Sequence, residues 1–107
     1  MQFKNAFFNQ LGTTEEIIYT CSGKSSTIMN ISLCNKILSD VNADVILYKD
    51  GITPIYIIKG ILIQPHQAYV ISSNNETAIN LEDTDEIRVV TDTANSSDIY
   101  IGLMEQI

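Results

Sequence analysis

The feature that most constrains this chain is its punctuation. Short runs of β-branched and aromatic residues alternate with turn-forming clusters every eight to twelve positions along 107 residues. The runs lie at 16–21 (EIIYTC), 26–35 (STIMNISLCN), 43–49 (ADVILYK), 55–63 (IYIIKGILI), 68–73 (AYVISS), 77–81 (TAINL), 85–91 (DEIRVVT) and 98–104 (DIYIGLM). Between them stand Ser22-Gly23-Lys24-Ser25, Ser39-Asp40-Val41-Asn42, Asp50-Gly51, Pro65-His66, Asn74-Asn75 and Ala94-Asn95-Ser96-Ser97. Branched side chains are stiff and pack well on a pleated surface. The chain holds 18 Ile, 5 Val and 9 Thr, which is enough to fill such runs. Strands at this spacing build antiparallel sandwiches or barrels, not βαβ units.

Alternation within the runs says which residues face inward. Met29, Ile31 and Leu33 share one face of their strand, with Asn30 and Ser32 on the other. Ile87 and Val89 point inward, as do Ile99, Ile101 and Leu103. Asp50-Gly51 predicts a tight hairpin, because Gly accepts positive φ. Gly60 predicts a bulge or bend that could carry the chain between two sheets. The stretch from Cys34 to Val41 is too short for a stable helix and reads as a loop with at most one helical turn. The expected fold is all-β: a single-domain antiparallel β-sandwich, jelly-roll or Ig-like, of about eight strands over residues 13–107. A short extended N-terminal arm, residues 1–12, precedes it.

Charge narrows the function. Thirteen acidic and six basic residues give a net charge of −7, and Arg88 is the one arginine. An acidic surface disfavours phosphate-driven nucleic-acid binding. No run of about 18 apolar residues exists to cross a membrane as a helix. The first residues lack the long apolar run and cleavage site of a secretory leader, so a cytoplasmic origin is expected. Without such a leader, the sequons at Asn30, Asn75 and Asn95 read as chance.

Groups that could do chemistry are sparse. His66 is the single imidazole, and it follows a proline at a corner. No G-x-S-x-G, no metal-binding His/Glu spacing and no complete phosphate loop is present; Gly23-Lys24-Ser25 would need a glycine where Ile18 stands. Cys21 and Cys34 fit no metal motif. They read as small core hydrophobes, as a disulfide if their strands are adjacent, or as reactive thiols. Glu82, Asp83, Asp85 and Glu86 form the densest charge in the chain. They read as a calcium site or as a solvated acidic turn. Tyr48, Tyr56, Tyr69 and Tyr100 fall within strands, as packing residues or as stacking surfaces for carbohydrate. Phe3, Phe7 and Phe8 precede the first run. Such an apolar arm either docks on a partner or folds back on its own core. No catalytic residue, metal or cofactor is assigned.

The order of features resembles small tailed-bacteriophage virion proteins of the β-sandwich type. A strand ends near Gly23-Lys24, and the next closes on Cys34-Asn35. A pair around Asp50-Gly51 is followed by a long strand and the Pro65-His66-Gln67 corner. Then come Leu81, Asp85, Ile87, Arg88 and Val89 in an L-x-x-x-D-x-I-R-V arrangement, the strand from Asn95 to Ile101, and a tail with Glu105. These motifs run from about Thr14 to the end and are turn chemistry, not catalytic signatures. That family usually has glycine where this chain has Thr84, so the turn there is expected to differ. The resemblance implies a non-enzymatic structural protein made in the host cytoplasm and carried on the virion. Its implied partners are the major capsid protein or other virion proteins. Its implied state is a homo-oligomer, with a trimer favoured, and neither nucleic acid nor membrane is bound directly. A capsid decoration (cement) role leads. A neck or tail component and a carbohydrate- or receptor-binding module are the alternatives.

Overall fold

The computed structural model describes residues 2–72 and 79–106. Among these residues nine strands form two antiparallel sheets: β1 (Gln2–Leu11), β2 (Glu16–Thr20), β3 (Ser26–Asn35), β4 (Val41–Lys49), β5 (Thr53–Ile63), β6 (Ala68–Ser72), β7 (Ile79–Leu81), β8 (Glu86–Thr91) and β9 (Ser97–Glu105). One sheet runs β1-β9-β3-β6, with β7 also paired to β3; the other runs β2-β8-β4-β5. The all-β sandwich expected from the sequence is therefore the fold. The pairings are nested: β1 with β9, β2 with β8, β3 with β6, β4 with β5. A long antiparallel ribbon rolled into two facing sheets gives this nesting, which makes the sandwich a jelly roll. Turn Asn74-Asn75, the sequon at Asn75 and the predicted strand residues 73, 77 and 78 lie outside the described residues.

The ninth strand is the expected arm. Residues Gln2–Phe8 are extended as expected, and they pair in unbroken register with β9, from Gln2 opposite Glu105 to Phe8 opposite Ile99. The segment is thus the edge strand of a sheet. The stretch after Asn35 is a loop of bends without a helical turn.

Side chains from both sheets fill one apolar layer. Ile28, Ile31, Leu33, Ile99, Ile101 and Leu103 face Ala43, Val45, Ile63, Ile87 and Val89, all buried. Two local departures from strict alternation matter. A bulge between Ile28 and Asn30 turns Met29 outward, so Ile28 and not Met29 joins Ile31 and Leu33 in the core. A second irregularity lies opposite Asp44, whose carboxylate accepts the Gly60 N–H at 2.6 Å, with Gly60 at φ +67°. Gly60 makes the predicted bulge, yet β5 stays paired with β4 on both sides of it. The change of sheet occurs later, at the Gln64–Gln67 turn, where His66 is exposed at φ 58°.

Buried polar groups close the ends of this layer. Asp85 is buried and accepts from the backbone N–H of Asp50 at 3.0 Å, the backbone N–H of Glu82 at 2.9 Å and Lys49 Nζ at 3.1 Å. It pins the Asp50-Gly51 hairpin, both of whose residues take positive φ, against the start of β8. Glu105 is buried as well. It accepts from the Tyr19 hydroxyl at 2.5 Å and pairs with Lys4 and Lys24 at 3.4 and 3.5 Å. Tyr19 belongs to β2 and Glu105 to β9, so this bond joins the two sheets. At the opposite end the buried Asn35 amide donates to the Ser39 and Ile63 carbonyls at 2.8 and 2.9 Å. Cys21 and Cys34 are both free thiols, the first buried and the second half-buried.

Burial pushes the Asp85 carboxyl up, but the Asp50, Glu82 and Lys49 donors outweigh it and hold the group below the ordinary carboxylate range. A lowered native pKa contributes stability above the unfolded value, near 4, and that contribution is lost as pH falls through the native value. We expect Asp85→Asn to cost about 2–4 kcal/mol at neutral pH and to flatten the acid limb of stability, read by thermal melts between neutral and acid pH. Thr84 occupies φ 75°, a conformation that suits glycine and strains a β-branched residue. Thr84→Gly should therefore raise stability by about 1 kcal/mol, a gain of roughly 4 °C in Tm, although the Thr84 hydroxyl bond to Asp50 is lost.

Candidate functional site

The outer face of the β1-β9-β3-β6 sheet is the candidate site. Register places its residues. Inward Ile99, Ile101 and Leu103 leave Tyr100, Gly102 and Met104 outward on β9. Opposite these on β1 stand Phe7, Asn5 and Phe3. On β3, Ser32, Asn30 and Thr27 face the same three positions. Val70 of β6 follows Ser32. One row therefore reads Phe7, Tyr100, Ser32, Val70 across four strands. None of these residues is charged, on a chain of net charge −7. Phe3 is 76% exposed, Phe7 70%, Val70 55% and Tyr100 46%.

A shallow depression of about 350 Å³ opens on this face between Phe3, Met29, Asn30 and Tyr100, with Gly102 among its lining residues. The Asn30 amide oxygen lies 2.5 Å from where a Gly102 side chain would begin. The glycine thus lets a neighbouring side chain lie flat against the strand.

The other sheet covers only part of its outer face, where Ile17 and Leu62 are each 51% exposed. Ile46 sits between Arg88 and Tyr56 in register, on the side opposite inward Val45, yet it is fully buried. Arg88 stacks on the Tyr48 ring at 3.8 Å and pairs with Glu86 at 2.6 Å. Lys59 stacks on Tyr56 at 4.6 Å. A guanidinium over a ring shields apolar surface and keeps its charge wet. Phe3 and Phe7 have no such cover.

The residues picked from sequence scatter. Phe3 and Phe7 lie on the open face. Phe8, on the opposite side of the same strand, packs partly buried against the core. The strand tyrosines do not gather on one platform: Tyr100 lies on one outer face, Tyr48 and Tyr56 on the other, and Tyr69 opposite inward Leu33 on β6. The acidic cluster divides among separate donors. Glu82 pairs with Lys49 at 2.6 Å, Asp83 accepts the Gly23 N–H at 2.6 Å, Asp85 is buried in its hairpin and Glu86 holds Arg88. Among the described residues no three His, Cys, Asp or Glu side chains converge as a metal site. All six cationic side chains have a carboxylate within 4.0 Å. Of this surface the sequence singles out Tyr100, as a stacking or packing residue, and the phenylalanines; Val70 and Gly102 carry no such signal, and Met29 reads as inward. The outward side of Tyr100 was legible from alternation along β9, but its alignment with Phe7 needs the β1–β9 register.

No family model matches this chain, and no curated protein matches it. Among solved structures, a chain of the T13 IBDV viral particle, known from its crystal structure, is similar in fold. The TM-score is 0.54 at 10% identity, over 95% of this chain and 30% of that one. This chain thus spans under a third of the length of the viral chain that it matches. At that identity the likeness is one of fold.

The two sides of β1 should respond differently to mutation. A Phe3→Ser, Phe7→Ser double variant should keep its stability within about 1 kcal/mol and lose much of its binding to a fluorescent hydrophobic dye. Phe8→Ala should cost about 2 kcal/mol or more, read by denaturant unfolding.

Proposed function

We propose that this chain is a non-enzymatic virion structural protein, acting as a capsid decoration (cement) protein on the outer surface of a phage head. The observation that carries this reading is the open patch of Phe3, Phe7, Tyr100 and Val70, none of them charged, in which Phe3 and Phe7 are the most exposed aromatic rings among the described residues. An exposed apolar patch on an acidic domain is a contact surface. The fold likeness to a chain of a viral particle supports the same direction. So do the sequence features that resemble tailed-phage virion proteins. Every carboxylate of the 82–86 cluster is engaged within the fold, and among the described residues no nucleophile is paired with His66, which supports a role in adhesion over one in catalysis.

A carbohydrate- or receptor-binding module has less support, because the strand tyrosines are divided between two faces. Jelly rolls serve lectins as well as capsids, so the fold itself does not choose between them.

Purified particles test the proposal. Quantitative mass spectrometry should find this chain in many copies per virion, and cryo-microscopy should place the Phe3 and Phe7 face against the head shell. The Phe3→Ser, Phe7→Ser variant should be absent from particles. Low copy number with density at the neck or tail would move the protein there. Absence of the wild-type chain from virions would end the proposal.

A further inference from the structure

The free edge of β1 carries a second message. A sheet edge offers unpaired N–H and C=O groups, and proteins usually blunt it with prolines, bulges, charges or short strands. Three edges here are blunted. β5 has Pro54, the Gly60 bulge and Lys59; β2 and β6 are five residues each. β1 is not. From Gln2 to Phe8 it runs seven residues in unbroken register, with no proline and one charge, Lys4. Residues 1–14 hold no Asp or Glu.

This edge is self-complementary. Two copies of β1 set antiparallel keep their sheet faces aligned only if outward residues oppose outward ones. A two-fold axis at Asn5 does so, and it sets Phe3 opposite Phe7 of the second copy and Phe7 opposite its Phe3. Lys4 then faces Ala6, so the like charges are not opposed. Shifting the register by two residues, to an axis at Lys4 or Ala6, leaves Phe3 and Phe7 without an aromatic partner, and the axis at Lys4 sets that charge opposite itself. Aromatic cross-strand pairs stabilise a ladder, whereas like charges directly opposite destabilise it. Charge selects the same place. Two chains of net −7 can approach closely where carboxylates are lacking, and the buried Glu105 nearby is already paired with Lys4.

We infer that this chain forms a two-fold dimer through antiparallel pairing of β1 with β1 of a second copy, centred on Asn5. The two β1-β9-β3-β6 sheets become one continuous sheet, and their aromatic faces become one surface. The two exposed rings supply roughly 300 Å² per copy. That is short of the roughly 800 Å² per partner of a standard interface. The dimer is therefore weak and depends on concentration. This contact goes beyond the virion proposal and does not rest on it.

Sedimentation of the free full-length chain over a range of concentrations tests it. A reversible monomer–dimer equilibrium is expected. Phe7→Ser should weaken it about tenfold or more, with an unchanged circular-dichroism spectrum as the control for folding. In a Cys34→Ser background, Asn5→Cys should form a disulfide-linked dimer on mild oxidation, while Asn9→Cys should not. A chain that stays monomeric up to its solubility limit would overturn the inference, as would a trimer as the only assembly. Dimers that Asn5→Cys fails to cross-link would overturn the register. Particle incorporation is read separately, so a monomer that still decorates virions counts against the dimer alone.

Discussion

One layer of side chains holds the molecule together. Each strand sends alternate residues into the space between the sheets, and Ile28, Ile31, Leu33, Ile99, Ile101 and Leu103 meet Ala43, Val45, Ile63, Ile87 and Val89 there. Two facing sheets lie about 10 Å apart, so each site admits one side chain from each side and little else. The layer determines the direction of every other residue. Because Ile99 and Ile101 are inward, Tyr100 must be outward, and with it Phe7 and Val70 in the same row. The exposed aromatic face is a by-product of where the core lies.

An apolar layer cannot close its own ends, since strands stop and leave polar backbone there. Asp85, Glu105 and Asn35 do this work. Each is buried, and each bonds groups from segments distant in sequence. Their energy comes less from the bonds made than from the cost of leaving such groups unpaired. Removing one of them loosens a hairpin or an inter-sheet clasp, whereas removing Phe3 or Phe7 leaves the fold in place.

Much of the fold was legible because its signals are local. Asp50-Gly51 does make a hairpin with two positive φ values, and the runs at 26–35 and 85–91 lie at or within a residue of their strands. Thr84 stands where the resembling family has glycine, and its φ of 75° gives the physical reason for glycine there. What escaped was non-local. Pairing of Gln2 with Glu105 leaves no mark in either segment, so β1 read as an arm that need not join a sheet. The bulge at Met29 has no sequence signature either; alternation put Met29 inward and the structure turns it out. The crowded carboxylates at 82–86 looked like one site because they are adjacent in sequence, but strand alternation and a turn aim them at different donors.

The place of β9 has a consequence for how the chain is made. β9 lies between β1 and β3, so the first sheet lacks its middle strand until residues 97–105 have been synthesised. Until then β1 has no partner in that sheet, and β3 is paired only with β6 and β7. Contacts between such distant residues form slowly, because the loops that join them must close first. The first sheet can therefore be completed only after β9 has been made, and until then β1 and β3 carry open edges toward each other.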